Sequence, residues 1–316
     1  MQLIRGIHNL KNQAAFQNGC VLAIGNFDGV HLGHQQILHR LREKSAALNL
    51  PSVVMLFEPQ PKEFFARQHS EMVAPARLMR LRDKLHALAK LGIDFVLCVR
   101  FDQTFAQLSP AQFIQQLLVE QLNIRYLSIG DDFRFGLKRR GDFSTLQQGA
   151  EQFGFTIENS DSYCLDTARI SSSLIREALK KDDLLLAEKM LGKPYAIRGR
   201  VAHGNKLGRT IGFPTANMML NRQVTPIQGV YAVQVETENG PFNGIANVGN
   251  RPTINGTKPL LEVHLFNFNE FIYGKTIEVR FLKKIRAEIK FDSVDALKQQ
   301  IAHDVVQVKA FFDNAI

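Results

Sequence analysis

Between residues 20 and 160 the chain repeats one pattern: a short apolar run without polar alternation, then a segment of helical period. "CVLAIGNF" leads into "HQQILHRLREKSAALN", "SVVMLF" into "PARLMRLRDKLHALAKLG", and "FVLCVRF" into "SPAQFIQQLLVEQLN". In the last, Ser109 is placed as an N-cap and Pro110 at the first helical position. "RYLSIG", a helical "TLQQGAEQFG" and "FTIENS" continue the series. Runs that are apolar throughout suit strands buried on both faces, and the intervening helices supply the covering layers. The pattern predicts an α/β domain built on a parallel sheet. In such sheets ligands bind beyond the carboxyl ends of the strands.

From about 170 to 191, "ISSSLIREALKKDDLLLAEKMLG" predicts helix with a break near Asp182–Asp183, closing at Gly192 and Pro194. Beyond Pro194 the grammar changes. "YAIRGRVAHG", "GVYAVQVETENGPFNGIANVG", "LLEVHLFNF" and "KTIEVRFLKKIR" alternate apolar and polar residues between turn signals. These predict antiparallel strands closing a small barrel or sandwich, with "SVDALKQQIAHDVVQVKAFFDN" as an amphipathic terminal helix packed on it. The expected domains are 1–185 and 186–316.

A chain of 316 residues is ample for two cores. No run approaches the ~20 apolar residues of a membrane span, and the first residues lack the apolar core of a secretory signal. Cys20, Cys98 and Cys164 are odd in number and widely spaced, which fits thiols in a reducing compartment and not a disulfide frame or zinc site. A cytoplasmic protein is expected. The net charge of +9 calls for an anionic partner, and residues 186–316 carry +6 of it. The excess is diffuse, without a basic tail, and "KRR" at 138–140 and "KKIR" at 283–286 read as solvated faces. A nucleic-acid reader therefore ranks below an enzyme acting on small phosphorylated ligands.

"GNFDGVHLGH", Gly25 to His34, lies where the first apolar run meets the first helical segment. Gly25, Gly29 and Gly33 suit close backbone approach or positive φ. Helix-start N–H groups attract phosphate, and His31 and His34, three apart, both project from the first turn. An ordinary strand–helix connection with two incidental histidines also fits this spacing. "HGNKLGRTIGFPTAN", His203 to Asn217, is a second glycine-rich stretch without a P-loop pattern. Gly204 and Gly208 suit a phosphate nest, and Thr215 and Asn217 offer neutral oxygens to Mg²⁺. A tight barrel corner held by Pro214 fits the same residues. Alternation places Glu262 with His264 and Phe266 on the face opposite Leu261, Val263 and Leu265.

"GNFDGVHLGH" resembles the His-x-Gly-His signature of nucleotidyltransferases. With "FEPQP" at 57–61, "GDDFRFG" at 130–136, "RISSSLIR" at 169–176 and "GRTIGFPTAN" at 208–217, the chain resembles the prokaryotic bifunctional riboflavin kinase/FAD synthetase family. The resemblance implies a Rossmann-like nucleotidyltransferase domain that moves AMP from ATP to FMN, releasing pyrophosphate, and a barrel that phosphorylates riboflavin with MgATP. It implies catalytic roles for His31 and His34 at the ATP phosphates, with Gly25, Asn26, Asp28 and Gly33 shaping the loop. Arg169, Ser172 and Arg176 are implied to support ATP, and Pro59, Pro61, Asp132 and Phe135 to lie on the flavin side. Many relatives carry His at the position of Gln60 and Asn at that of Asp132. In the barrel it implies ATP at Gly204 and Gly208, metal at Thr215 and Asn217, and Glu262 as base. The expected partners are ATP, riboflavin, FMN and FAD, with no nucleic acid or membrane. A single-activity nucleotidyltransferase with another phosphorylated acceptor is the main rival.

Overall fold

The computed structural model describes residues 1–69, 71–130, 132–160, 164–165, 168–202, 212–220, 224–253 and 256–314, without the side chains of 12, 160, 168, 250–253 and 256–258. It divides into two compact units: Met1–Pro75 with Arg80–Ser171, and Ala76–Met79 with Ser172–Ile316.

The first unit holds β1 (Gln2–Arg5), β2 (Cys20–Ile24), α1 (Leu32–Leu48), β3 (Ser52–Glu58), α2 (Pro61–Gln68), α3 (Leu81–Lys90) and β4 (Phe95–Arg100). It continues through α4 (Gln103–Ala106), α5 (Pro110–Gln112), β5 (Ile124–Gly130), α6 (Phe143–Phe153) and β6 (Thr156–Ser160), then a short hairpin of β7 (Cys164–Leu165) and β8 (Ala168–Arg169). The first six strands form one sheet in the order β1-β4-β3-β2-β5-β6, every pair parallel. All five residues of β2 are buried, which is why its run shows no polar alternation. Ser109 caps α5 as expected, its hydroxyl accepting from the Gln112 N–H at 3.2 Å. The helix runs on as a π-helix over Phe113–Gln121 that buries Phe113, Ile114, Leu117 and Leu118. β1 was not anticipated: it has four residues, one of them buried, at a sheet edge, too short to show a period.

From β2 the chain steps outward to β3 and β4, then returns to the other side of β2 as β5. The crevice between the carboxyl ends of β2 and β5 is thus the topological switch point where such sheets take ligands. "GNFDGVHLGH" follows β2 and "GDDFRFG" follows β5, so both flank it.

In the second unit α7 (Ser172–Lys180) and α8 (Leu184–Leu191) meet at Asp182, where φ is 61°, and Gly192 closes α8 at φ 74°. The break has a tertiary cause: the Asp182 carboxylate pairs with Lys284 at 2.7 Å and accepts from the Tyr231 hydroxyl at 3.2 Å. β9 (Ala196–Arg200), β10 (Ala216–Met219), β11 (Gly229–Thr237), β12 (Gly240–Thr253), β13 (Gly256–Leu265) and β14 (Thr276–Arg286) follow, then α9 (Val294–Asp313). The strands form an antiparallel sheet ordered β10-β13-β12-β11-β14-β9. An antiparallel bridge between Ala202 and Asn217 joins its two edges, with the Ala202 N–H donating to the Asn217 carbonyl at 2.8 Å. The result is a nearly closed barrel. On the face of β11 and β12 away from buried Tyr231, Val233 and Ala246, the residues Val230, Ala232 and Ile245 pack against Val308 of α9.

Candidate active sites

His31 is the N-cap of α1. Its Nδ1 accepts from the His34 N–H at 3.3 Å, so Nδ1 carries a lone pair and the neutral ring holds its proton on Nε2. Capping thus fixes the tautomer and leaves an Nε2–H donor. The His34 ring stacks on that of His31, centroids 3.6 Å apart and planes 19° from parallel, and tilts against Phe27 at 5.1 Å. Removal from water first, then electrostatic opposition to a second proton beside His31 and the Lys84 ammonium, holds His34 well below the usual histidine range. His34 is therefore neutral near pH 7. Its Nδ1 and the Asn26 Oδ1 are buried without a hydrogen-bond partner. Buried polar atoms normally find partners, and these two lie beside a helix N-terminus and a switch-point crevice.

The glycines carry only part of the loop's shape. Of Gly25, Gly29 and Gly33, only Gly29 has positive φ, at 88°. Phe27 and Val30 take left-handed φ of 45° and 42°, and both are buried. Gly25 serves close approach instead, since a Cβ there would meet the Phe27 ring at 3.1 Å. Gly33 is buried in the first turn of α1, and Asp28 is 2% exposed. Lys84 of α3 reaches in from behind, also 2% exposed, and its Nζ donates to the Asn26 carbonyl. Sequence reasoning missed Lys84. The signal was a lysine one turn before buried Leu88, on the apolar stripe of a helix.

Pro59 follows β3, and Pro61 is the first residue of α2. Gln60 between them is 4% exposed, and its Nε2 has no hydrogen-bond partner. Asp132 is exposed beyond β5 and pairs with Arg169 of β8 at 3.4 Å. A pair so exposed contributes little to stability. Phe135, by contrast, is 6% exposed and lies in the hydrophobic core, against Phe113 and on Gly141. Phe133, half-buried, stacks on it at 5.7 Å. In the second unit Ser172 opens α7, and Arg176 one turn later donates from Nε to the Ala76 carbonyl at 2.6 Å.

The barrel carries a second constellation. Across β10, β13 and β12 the register places Asn217, Glu262 and Asn247 in one row. Side chains directly opposite in this way are about 5 Å apart. Leu261, Val263 and Leu265 are buried, while Glu262, His264 and Phe266 are half-buried on the other face, as the alternation predicted. Ile245, which packs against Val308 of α9, lies opposite His264 and two residues from Asn247 on the same strand face, so the row borders that helix. Asn247 was not singled out from sequence. Its Oδ1 is buried without a partner, and only strand register reveals its place beside Glu262. The "FPTAN" corner is tied to the same face, since His264 Nδ1 contacts the Pro214 carbonyl at 2.8 Å. Asn217 Nδ2 donates to the Thr215 carbonyl at 3.3 Å, which turns its Oδ1 away from Thr215. Gly204 and Gly208 lie outside the described residues. Among the described residues no cluster of three or more His, Cys, Asp or Glu could hold a metal. The oxygens of Thr215, Asn217 and Glu262 are the hard donors that suit Mg²⁺ bound chiefly through water and phosphate.

Comparison with known proteins matches residues 13–174 to the FAD synthetase family and 191–312 to the riboflavin kinase family. A bifunctional riboflavin kinase/FMN adenylyltransferase of Haemophilus influenzae is 59% identical over 99% of this chain and 100% of its own length. One from Escherichia coli is 54% identical over 99% of this chain and 98% of its own. A crystal structure described as a macrolide-efflux protein from Streptococcus pneumoniae superposes with a TM-score of 0.80 at 31% identity, covering 98% of this chain and 99% of that one. Among the described residues, no helix is long and apolar enough to cross a membrane.

Proposed function

The chain belongs to the family of bifunctional riboflavin kinase/FMN adenylyltransferases, and on that premise we propose that its two sites make FAD from riboflavin in two ATP-dependent steps. The barrel makes FMN, and the sheet domain adenylylates it. The assignment of residues 1–185 to adenylyl transfer and 186–316 to phosphorylation belongs to the same proposal.

In adenylyl transfer an FMN phosphate oxygen attacks the α-phosphorus of ATP, the bond to the β-phosphate oxygen breaks, and pyrophosphate leaves. The nucleophile is already an anion, so the protein needs no base and works through positioning and charge stabilisation. His31 Nε2–H and His34, at the start of α1, donate to the phosphate oxygens as charge shifts onto the leaving group. Gly25, Asn26, Asp28 and Gly33 form the loop around them. Arg169, Ser172 and Arg176 support ATP. On the flavin side Pro59 and Pro61 shape the approach, Gln60 Nε2 supplies a donor where many relatives carry histidine, and Asp132 joins it. Phe135 acts there through the core it anchors.

In phosphorylation the terminal ribityl hydroxyl attacks the γ-phosphorus of ATP, Glu262 accepts its proton, and ADP leaves. Gly204 and Gly208 are assigned to the ATP phosphates from the sequence alone, and Thr215 and Asn217 would hold Mg²⁺, which would draw charge from the phosphate oxygens. A cytoplasmic location goes with this chemistry, where flavin and ATP are both at hand.

The observation that carries the reading is the stacked imidazole pair, His31 buried and His34 half-buried, at a helix N-terminus on the switch-point crevice, within the segment matched to FAD synthetase. The test is to incubate the protein with riboflavin, ATP and Mg²⁺ and separate the flavins over time. FMN should rise first and FAD follow. ATP turnover with another phosphorylated acceptor, and none with flavins, would replace this reading by the single-activity one.

A further inference from the structure

Lys84 is a buried cation that none of the roles above uses. A lysine rarely leaves water completely unless something accepts its hydrogen bonds. Here the ammonium donates to the backbone carbonyl of Asn26, in the loop between β2 and α1. That loop bends through left-handed φ at Phe27 and Val30, a conformation that side-chain-bearing residues keep only when their surroundings impose it. Buried Phe27 and Val30 supply packing, and Lys84 supplies a charge-assisted hydrogen bond at the loop's base. Meanwhile Asn26 Oδ1 and His34 Nδ1 remain buried and unpartnered. The backbone is pinned while the side-chain atoms stay available.

We propose that Lys84 is a positioning residue for adenylyl transfer: by fixing the Asn26 carbonyl it presets the His31–His34 elbow for phosphate without touching the reacting atoms. This rests on the adenylyltransferase reading of that elbow. The electrostatics agree with the geometry, since the charge of Lys84 adds to burial and to His31 in keeping His34 neutral. A preset elbow spares the reaction the cost of ordering the loop in the transition state, so losing the pin should show in kcat more than in ATP binding.

The test uses the full chain with Lys84→Met, Lys84→Gln and Lys84→Arg. For each, kcat and KM for ATP are measured with added FMN, alongside riboflavin phosphorylation and thermal unfolding. Lys84→Met should lower kcat for FAD formation about 100-fold, the scale of a misplacement near 1 Å, with KM for ATP changed less than about threefold. Phosphorylation should stay at the wild-type rate, and Lys84→Arg should recover at least about a third of the lost rate. If Lys84→Met does not fold, Lys84→Gln, which keeps a donor without the charge, must show the same kcat-specific loss. The proposal is overturned if kcat stays within twofold of wild type, if both reactions fall together, or if Arg restores no more than Met. A His31→Ala control runs beside them. Loss in His31→Ala with normal rates in Lys84→Met sinks the role of Lys84 alone. Full activity in His31→Ala sinks the elbow reading, and the Lys84 proposal with it.

Discussion

The His31 and His34 imidazoles lie stacked with centroids 3.6 Å apart, close enough that a proton on one opposes a proton on the other. His34 is held far below the ordinary 6.5 by burial, by His31 and by Lys84. Folding therefore excludes a proton that the unfolded chain binds below about pH 6.5. Where the unfolded state binds more protons, stability rises with pH. The stabilisation is complete above that value and is lost as pH falls from there toward the lower folded value. Thermal unfolding at pH 7.5 and 5.5 should show wild type losing more stability on acidification than His34→Asn. An equal loss in both would mean that His34 titrates normally.

The same pair carries the adenylyl-transfer prediction. Replacing donors that act on developing charge costs about 100- to 1,000-fold in rate. His31→Ala combined with His34→Ala should cut FAD formation by at least that factor while FMN accumulates from riboflavin at the wild-type rate. Chromatographic separation of the three flavins over time reads both outcomes at once. His31 also caps α1, so His31→Asn, which keeps a capping side chain, separates helix stability from catalysis.

Glu262 predicts the converse. Removing a general base costs about 100- to 10,000-fold, so Glu262→Gln should abolish FMN formation and leave added FMN convertible to FAD. Asn247→Leu is the sharper probe, because its neighbouring position follows from strand register alone. It should raise KM for riboflavin or ATP in phosphorylation and leave adenylyl transfer untouched. Phosphorylation kinetics identical to wild type would remove Asn247 from the row's function.

These two sites were not equally legible. The histidine elbow is local: both side chains, the cap and the helix start lie within four residues, so spacing alone placed them together. Glu262 was half legible, since period-2 alternation fixed its face but not its neighbours. Asn217 and Asn247 join it only through pairings across 45 and 15 residues of sequence, which register decides. Lys84 lies 58 residues from Asn26 and looks like one more surface cation until α3 is seen to bury it. The glycines told only part of the loop's shape for a related reason. Packing of Phe27 and Val30 into the core imposed positive φ on residues that do not favour it, a tertiary effect with no local signature. The sheet and barrel themselves were legible because burial on two faces and on one face leave different periods in the chain.

Asp304 supplies a stability prediction that separates the two reactions. It is 1% exposed on α9 and accepts two hydrogen bonds from Arg286 Nε, at 3.1 and 2.9 Å, and one from Gln300 at 2.8 Å. Arg286 Nη2 closes the ion pair at 2.9 Å, tying the helix to the end of β14. Breaking a buried pair by removing one partner leaves an uncompensated charge and costs about 3–5 kcal/mol. Since α9 covers the barrel face beside Glu262, loosening it should strike phosphorylation first. Asp304→Ala should lower the denaturant midpoint of the barrel and cut FMN formation, while FMN added from outside is still turned into FAD. Asp304→Ala with Arg286→Met, which removes both charges, should recover part of the stability. A double variant no more stable than Asp304→Ala would show that the cost lies in lost packing and not in a stranded guanidinium.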